Sequence, residues 1–365
     1  MKFISYPKVI NSTIFILLFL LSCNKQSEPL QYDDPIWTKD FDGYSRDMHI
    51  HNDTLFVVNE DEGLLIYKLE MDTLTNTLIF NSLYSDSAYY QDNGWNLSGM
   101  LFSDNIKKII ILDGFYCTYF ADLSEVLDTN TIYQPLQCAA DNHHISRFTI
   151  NDRDEKIDIF ILVRKVSSFS TSDISSIYQN KWIDEEWGFQ SYEMPVIDSL
   201  NYDLSDVHYM NNKLVISHTN DTIPEFQIYS ITEGLYADTL TLMKTIEPPA
   251  RPNALYSTGD TLFMGMGDHA GVNIYDLENM DNVEPFREFA AGFSVREIFW
   301  DPLSSRLLLS CGYQGVVVLE LDGNMMEVDS WILNTSYAYA ARNYMGHIIV
   351  ATRKGLEIIN LNNSQ

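Results

Sequence analysis

Histidine and carboxylate side chains recur at matching positions in two distant stretches of the chain. His49 follows Asp47 by two residues, and His208 follows Asp206 in the same way. Histidine and acidic residues bind divalent metals and transfer protons, so a metal or acid–base site is one interpretation. Polar packing of two equivalent strands is the other interpretation, and it is the one we favour.

Other signals of chemistry are weak. Asn59–Gly63 places oxygen atoms at alternate positions before a glycine, as the first part of a calcium loop does, but the distal bidentate Glu is absent. We therefore expect a solvated acidic turn and no cofactor, with calcium as the weak alternative. The nucleophile-elbow, zinc-protease and P-loop motifs are also absent, so no catalytic residue is predicted.

Three cysteines, Cys117, Cys138 and Cys311, follow the first thirty residues. In an oxidising compartment Cys117 and Cys138, the nearest pair in sequence, would form a disulfide and leave Cys311 free. The alternative is three buried thiols that act as small apolar residues.

Aromatic residues concentrate in a divergent insert over residues 165–204, where Trp182 and Trp187 stand among acidic residues. Exposed aromatic rings amid polar residues are typical of protein or carbohydrate interfaces. Alternatively, Trp182–Tyr192 forms an outer strand whose rings are buried against the next repeat.

The elements that must position these residues come from a repeated pattern. Asp47–Leu69 and Ala254–Leu277 each contain a strand, a polar turn, an apolar strand, a loop ending in Gly and a third strand. Five further copies are Gly99–Leu123, Arg147–Lys165, Asp206–Ile231, Glu297–Leu321 and Ala340–Leu361. A period of roughly 40–50 residues with several strands per unit is typical of β-propeller blades. We predict an all-β propeller of seven four-stranded blades, with six or eight as alternatives.

The seventh copy lacks a fourth, outer strand. Pro35–Phe41 precedes the first copy and alternates apolar with polar residues. We expect this segment to complete the seventh blade, which closes the ring and covers the free sheet edges.

Two columns of residues mark the start of the first strand in every copy. The first column is Arg46, Ser98, Ser146, Ser205, Asn253, Arg296 and Tyr339, and the second is Asp47, Gly99, Arg147, Asp206, Ala254, Glu297 and Ala340. In a propeller these strands surround the central channel, so the columns form rings at one mouth. Arg46 with Asp47 and Arg296 with Glu297 flank the seventh blade, so ion pairs across the mouth are expected. The columns either tie blades together or recognise a polar ligand. Further candidates for this ligand rim are Tyr90, Trp95, His143 and His144.

The repeats resemble the LVIVD-repeat family of bacterial propeller proteins. Ile274-Tyr275-Asp276-Leu277 is similar to the namesake ending, and the resemblance covers most of Asp47–Leu361, although each copy is degenerate. It implies a propeller fold and an envelope setting, and it implies no catalytic residue.

The first residues predict an export signal. Lys2 and Lys8 precede the apolar run Ile14–Leu21, which is too short for a permanent membrane span. Leu20-Leu21-Ser22-Cys23 resembles a bacterial lipobox, which implies cleavage after residue 22 and acylation of Cys23. We expect a signal peptide over 1–22, a flexible tether over 23–34, one propeller domain over 35–365, and a lipid anchor in the cell envelope, in the outer membrane.

The charge balance limits the classes of partner that the protein is expected to bind. The 365 residues contain 51 acidic and 23 basic side chains, a net charge of −28. Such a surface repels nucleic acid, which is excluded as a partner. We therefore expect a non-enzymatic platform that binds a protein or glycan, and the alternative is a propeller enzyme acting on a carbohydrate or other polar substrate at the channel mouth.

Overall fold

The computed structural model describes residues 30–32, 37–85, 97–113, 117–126, 134–138, 143–153, 156–165, 175–184, 188–194, 203–220, 223–234, 237–281 and 283–361. The elements in these ranges are 29 β-strands. In this described part of the chain, no helix is long and apolar enough to cross a membrane.

Two short strands, β1 (Leu30–Tyr32) and β2 (Trp37–Asp40), precede the repeats, and seven sheets follow in chain order. Blade one contains β3 (Ser45–His51), β4 (Thr54–Asn59), β5 (Gly63–Asp72) and β6 (Thr77–Ser85). Blade two contains β7 (Leu97–Ser103), β8 (Lys108–Asp113), β9 (Cys117–Asp122) and β10 (Gln134–Cys138). Blade three contains β11 (His143–Arg153), β12 (Lys156–Lys165), β13 (Ser175–Asp184) and β14 (Gly188–Met194).

The remaining blades have the same order. Blade four contains β15 (Asp203–Met210), β16 (Lys213–Asn220), β17 (Ile223–Thr232) and β18 (Thr239–Ile246). Blade five contains β19 (Pro252–Thr258), β20 (Thr261–Met266), β21 (Val272–Asp276) and β22 (Pro285–Phe289). Blade six contains β23 (Glu297–Asp301), β24 (Arg306–Ser310), β25 (Val316–Leu321) and β26 (Glu327–Leu333). Blade seven contains β27 (Ala340–Tyr344), β28 (His347–Thr352) and β29 (Gly355–Asn360), joined by β2. The predicted seven-bladed propeller is confirmed.

Burial follows the position of a strand within its blade. The second strands β8 and β28 are buried at every residue, while the outer strand β6 contains only exposed and half-buried residues. A strand covered on both faces reads as a continuous apolar run, which is why Ile109–Leu112 shows no alternation. Within the described residues, an apolar cluster fills each of the seven interfaces between neighbouring blades.

The ring is closed by β2, as the sequence predicts. This closing strand pairs antiparallel with β29, from Trp37 opposite Ile358 to Asp40 opposite Gly355. The Trp37 ring stacks on Phe80 of blade one with 4.9 Å between centroids. Blade seven is therefore built from both ends of the described chain.

Glycine at the start of the third strand is required by a close backbone approach. Gly315 and Gly355 have φ of +78° and +116°. A Cβ atom on Gly315 would lie 2.1 Å from the carbonyl oxygen of Leu333, and one on Gly355 would lie 2.0 Å from that of Lys39. Both carbonyls belong to the outer strand of the blade. The sequence predicts the tight turn, and the structure adds that a side chain here would push the outer strand away.

Part of the predicted tether belongs to the domain. Leu30–Tyr32 pairs in parallel with β26, Leu30 opposite Trp331 and Tyr32 opposite Leu333. The prediction of a flexible tether over 23–34 is therefore wrong for these three residues. An outer strand offers unpaired backbone groups at its edge, and β1 satisfies those of β26.

Two regular strands of blade three, β13 and β14, lie within the divergent insert predicted over residues 165–204. Trp182 lies on β13, and its ring meets Phe120 of blade two edge-on with 6.3 Å between centroids. It also contacts Phe189 of β14 at 5.0 Å. The alternative in which Trp182 lies on an outer strand buried against blade four is wrong, because this face of β13 packs against blade two.

Of the two alternatives for the cysteines, the structure contains the disulfide. Cys117 is disulfide-bonded, and the register of β9 and β10 places Cys138 opposite it. Cys311 is free and buried, and burial raises the pKa of its thiol to about 12. The alternative of three buried thiols is therefore wrong for Cys117.

Candidate ligand site at the channel mouth

A cavity of about 830 Å³ lies where the first strands of all seven blades meet. Residues of both predicted columns line it, namely Arg46, Asp47, Ser98, Gly99, Arg147, Asp206, Ala254, Arg296, Glu297, Tyr339 and Ala340. Antiparallel strands alternate in direction, so the starts of the first strands and the turns between second and third strands lie at the same end of the channel. We call this end the mouth.

Two column carboxylates join neighbouring blades. Asp47 and Asp206 each accept a hydrogen bond from the next residue's backbone N–H and a second one from the following blade. The second donor is the N–H of Met100 at 3.0 Å for Asp47 and that of Leu255 at 2.8 Å for Asp206. Burial raises the pKa of Asp206 to about 6 and also raises that of Asp47. Both carboxylates thus have a structural use.

Arg342, which the sequence reasoning missed, joins the two acids that flank blade seven. Its guanidinium donates to Glu297 at 2.6 Å, lies 3.5 Å from Asp47 and covers the Phe299 ring at 4.6 Å. Both acids form ion pairs here, but with Arg342. In the described part of the chain the ion pairs expected from Arg46 and Arg296 across the mouth do not form, and Arg46 pairs with Glu60 of its own blade. Burial raises the pKa of both acids, and the Arg342 charge opposes that rise. Arg342 is the third residue of β27. It lies two places after the column residue of its blade, just as His49 and His208 lie two places after their column acids. A search two residues beyond each column would therefore have found Arg342.

A second group of arginines lies among tyrosines at the mouth of blades six, seven and one. This arginine–tyrosine cluster consists of Arg46, Arg296, Arg353, Tyr44, Tyr313, Tyr337 and Tyr339. Its members precede or begin first strands, or lie in turns between second and third strands, so all of them belong to the same end of the channel.

Arg353 is the centre of the cluster. Its guanidinium carbon lies 4.3 Å from the centroid of Tyr337, 4.8 Å from that of Tyr313 and 5.5 Å from that of Tyr44. Its Nε donates to the Tyr339 hydroxyl at 3.3 Å, and one Nη donates to the Tyr313 hydroxyl. The rings and hydroxyls therefore fix the orientation of this guanidinium group.

The other two arginines of the cluster differ in whether a carboxylate pairs with them. Arg46 covers the rings of Tyr44 and Tyr339 and pairs with Glu60 at 2.8 Å. Arg296 lies 5.8 Å from the centroid of Tyr337. In the described part of the chain, the guanidinium groups of Arg296 and Arg353 form no ion pair with a carboxylate.

His49 and His208, each two places after a column acid, do not come together in one site. The His49 ring stacks on Phe102 at 4.2 Å, and His208 Nε2 lies 2.9 Å from the Ser257 hydroxyl. Burial lowers the pKa of His49 to about 3 and that of His208 to about 4, so both are neutral at pH 7. Each histidine packs against the next blade, as the favoured interpretation expects.

The acidic turn at Asn59–Gly63 is stabilised by hydrogen bonds to its own side chains. Asn59 Oδ1 accepts hydrogen bonds from the backbone N–H of Asp61 and Glu62, and Glu62 accepts one from the N–H of Asp42. Among the residues that the structure describes, no three His, Cys, Asp or Glu side chains come close enough to hold a metal ion.

The structure gives little information on the remaining candidates for the ligand rim. His143 and His144 are the first two residues of β11, so they lie within the first strand rather than before it. Tyr90, Trp95 and Trp187 lie outside the described residues.

The fold and the mouth together define a seven-bladed β-propeller with a charged central cavity. No protein-family model matches the chain, and no curated protein matches it. Among solved structures, it is similar to a chain of the mitotic checkpoint complex, with a TM-score of 0.59, 10% identity and coverage of 99% of this chain and 98% of that one. It is also similar to the Pan2 WD40 domain of Neurospora crassa, with a TM-score of 0.51, 12% identity and coverage of 87% and 88%. The computationally designed Ika8 protein matches with a TM-score of 0.53, 10% identity and coverage of 92% and 100%. Such low identities establish the fold alone.

Proposed function

We propose that this protein is a bacterial lipoprotein, held in the outer membrane by acylated Cys23, whose propeller is a non-enzymatic platform that binds a protein or glycan at its mouth. The resemblance of the repeats to LVIVD-repeat proteins supports the envelope setting. One similar chain comes from the mitotic checkpoint complex, so this fold takes part in protein assemblies elsewhere.

One contrast within the site carries the proposal. The cavity carboxylates Asp47, Asp206 and Glu297 are engaged by backbone N–H groups or by Arg342. The arginine–tyrosine cluster instead presents aromatic rings and guanidinium groups to solvent, and Tyr313 is 71% exposed. Tyrosine and arginine are enriched among the residues that dominate binding at interfaces. The acids therefore hold the ring together, and the cluster provides the binding surface.

The anchor is tested by growing cells with an alkyne-tagged fatty acid and analysing the labelled protein by mass spectrometry. We expect the label on the peptide that begins at Cys23, and we expect Cys23→Ser to abolish it. Cys311→Ser is the control and keeps the label, because that thiol is buried and distant in sequence. Persistent labelling of Cys23→Ser would contradict the anchor.

The platform is tested with a soluble form that starts at Asn24 and keeps every described strand. It is immobilised and incubated with envelope extract, and the retained components are compared with those of two variants. Tyr313→Ala removes an exposed ring at the mouth, and Leu303→Ala removes a side chain 97% exposed in the turn between β23 and β24, at the opposite end. We expect retention to fall with Tyr313→Ala only. Loss with Leu303→Ala only, or no retention by the unmodified form, would refute a platform at this mouth.

A further inference from the structure

Two guanidinium groups at the mouth have hydrogen-bond donors that meet no acceptor in the described part of the chain. Arginine has five N–H donors, and Arg353 directs two of them to tyrosine hydroxyls. The guanidinium of Arg296 donates no hydrogen bond to any group that the structure describes. Both side chains therefore present donors in the fork geometry that matches a carboxylate.

The fork of each arginine is held in place before any ligand arrives. Tyr337 is 6% exposed and lies within 6 Å of both guanidinium carbons, at 4.3 Å from Arg353 and 5.8 Å from Arg296. Gly312, at a φ of +61°, leaves the space that Arg296 occupies, since a Cβ on it would lie 3.0 Å from the Arg296 Nε. Side chains already ordered lose little entropy on binding, which favours affinity.

The charge balance at the mouth differs from that of the whole chain, because the cavity is lined by as many arginines as carboxylates. The protein carries a net charge of −28, yet Arg46, Arg147, Arg296 and Arg342 all line the cavity and Arg353 joins them at the mouth. Glu60 pairs with Arg46, Asp206 lies 3.8 Å from Arg147, and Glu297 with Asp47 pairs with Arg342. Of these five arginines, Arg296 and Arg353 have no carboxylate partner among the described residues, and Arg353 lies beside the exposed ring of Tyr313.

We propose that Arg296 and Arg353 bind a carboxylate of a protein partner, in an acidic segment that lies across the tyrosines of blades six and seven. This inference rests on the proposed platform and names the chemical group recognised at its mouth. A peptide rather than a glycan fits the observations best, since arginine and tyrosine together are the residue types of protein-binding hot spots. The remainder of the acidic surface repels such a segment and so directs it to the mouth.

The test uses isothermal titration of the form that starts at Asn24 with a penta-glutamate peptide. We expect binding that weakens with rising ionic strength, no binding of the matching penta-glutamine peptide, and a loss of affinity of about tenfold or more in Arg296→Gln and in Arg353→Gln. Arg306→Gln is the matched control: this arginine pairs with Glu320 at the other end of blade six and its replacement leaves binding unchanged.

Three results would overturn the inference: no binding of penta-glutamate, equal weakening by Arg306→Gln, or binding of polygalacturonate in place of the peptide. Circular dichroism of each variant shows whether it is folded, and protection of Arg296 and Arg353 from phenylglyoxal by the peptide gives a second readout in the unmodified chain. If envelope proteins are retained and both arginine variants still retain them, the proposed platform is supported and the carboxylate site is refuted. If nothing is retained, the platform itself falls.

Discussion

Replacing Arg342 with methionine tests whether this side chain holds the ring together. Arg342→Met keeps an apolar stem against Phe299 but leaves Glu297 and Asp47 without their cation. Removing one partner of a buried ion pair costs about 3–5 kcal/mol. The side chains of Asp47 and Glu297 are 22% and 24% exposed, and Asp47 keeps its two backbone donors, so we expect the lower end, about 3 kcal/mol at pH 7.

The pH dependence of this loss has a definite sign. Burial already raises the pKa of Asp47 and Glu297, and removing Arg342 raises both further. The folded variant therefore binds more protons than its unfolded chain, and its stability rises as the pH falls. We expect the deficit relative to the unmodified protein to be largest at pH 7 and smallest near pH 4, measured as the free energy of urea unfolding.

Arg306→Met is the matched control for this measurement. Arg306 also covers an aromatic ring, Trp331 at 5.3 Å, and pairs with an acid, Glu320 at 3.4 Å. Glu320 is 36% exposed, so we expect a loss below about 1 kcal/mol with little pH dependence. Equal losses in the two variants, or a deficit of Arg342→Met that stays constant down to pH 4, would refute the reasoning.

Two further predictions concern the inner carboxylate and the closing strand. Burial raises the pKa of Asp206 from 3.8 to about 6, so its contribution to stability is complete below pH 4 and is lost as the pH rises through 6. Relative to Asp206→Asn, the unmodified protein should lose about 3 kcal/mol between pH 4 and pH 7 in urea unfolding, and parallel curves would contradict this. Gly355→Ala should cost more than 3 kcal/mol and expose the closing strand to proteolysis, since its Cβ would lie 2.0 Å from the Lys39 carbonyl oxygen. Gly259→Ala is its control, with φ of +57° and no atom within 4 Å, and should cost only about 1 kcal/mol; equal costs would show that the carbonyl contact is unimportant.

The repeat and its closure could be predicted from the sequence because both depend on local patterns. Buried second strands read as apolar runs, and a glycine marks the turn that follows, as at Gly355. The missing outer strand of the last repeat and the spare strand at Trp37 then required only the rule that sheet edges are covered. Blade three was harder, because the boundaries of β13 and β14 depend on packing against Phe120 of blade two.

The parts of the site that escaped prediction depend on contacts between blades. The column position of Asp47 showed that it faces the channel, but the cation it meets comes from β27, almost 300 residues away. Arg353 and Tyr313 lie in hairpin turns, where sequence indicates only a change of direction. Their meeting requires two neighbouring turns to lie side by side. The strand β1 is three residues long, too short for any periodicity to show.

The pairing of β2 with β29 has a consequence for the order of folding. Trp37 and Ile358 lie roughly 320 residues apart, and bringing such distant segments together costs about 5 kcal/mol of chain entropy by the logarithmic loop law. During synthesis from the amino end, the closing strand is made before blades one to six, and its partner β29 is made after them. Blades one to six can pack in sequence before then, while the ring stays open between blade seven and blade one. We therefore expect ring closure to be the final step of folding, and we expect heat or denaturant to open the ring first at the same pairing.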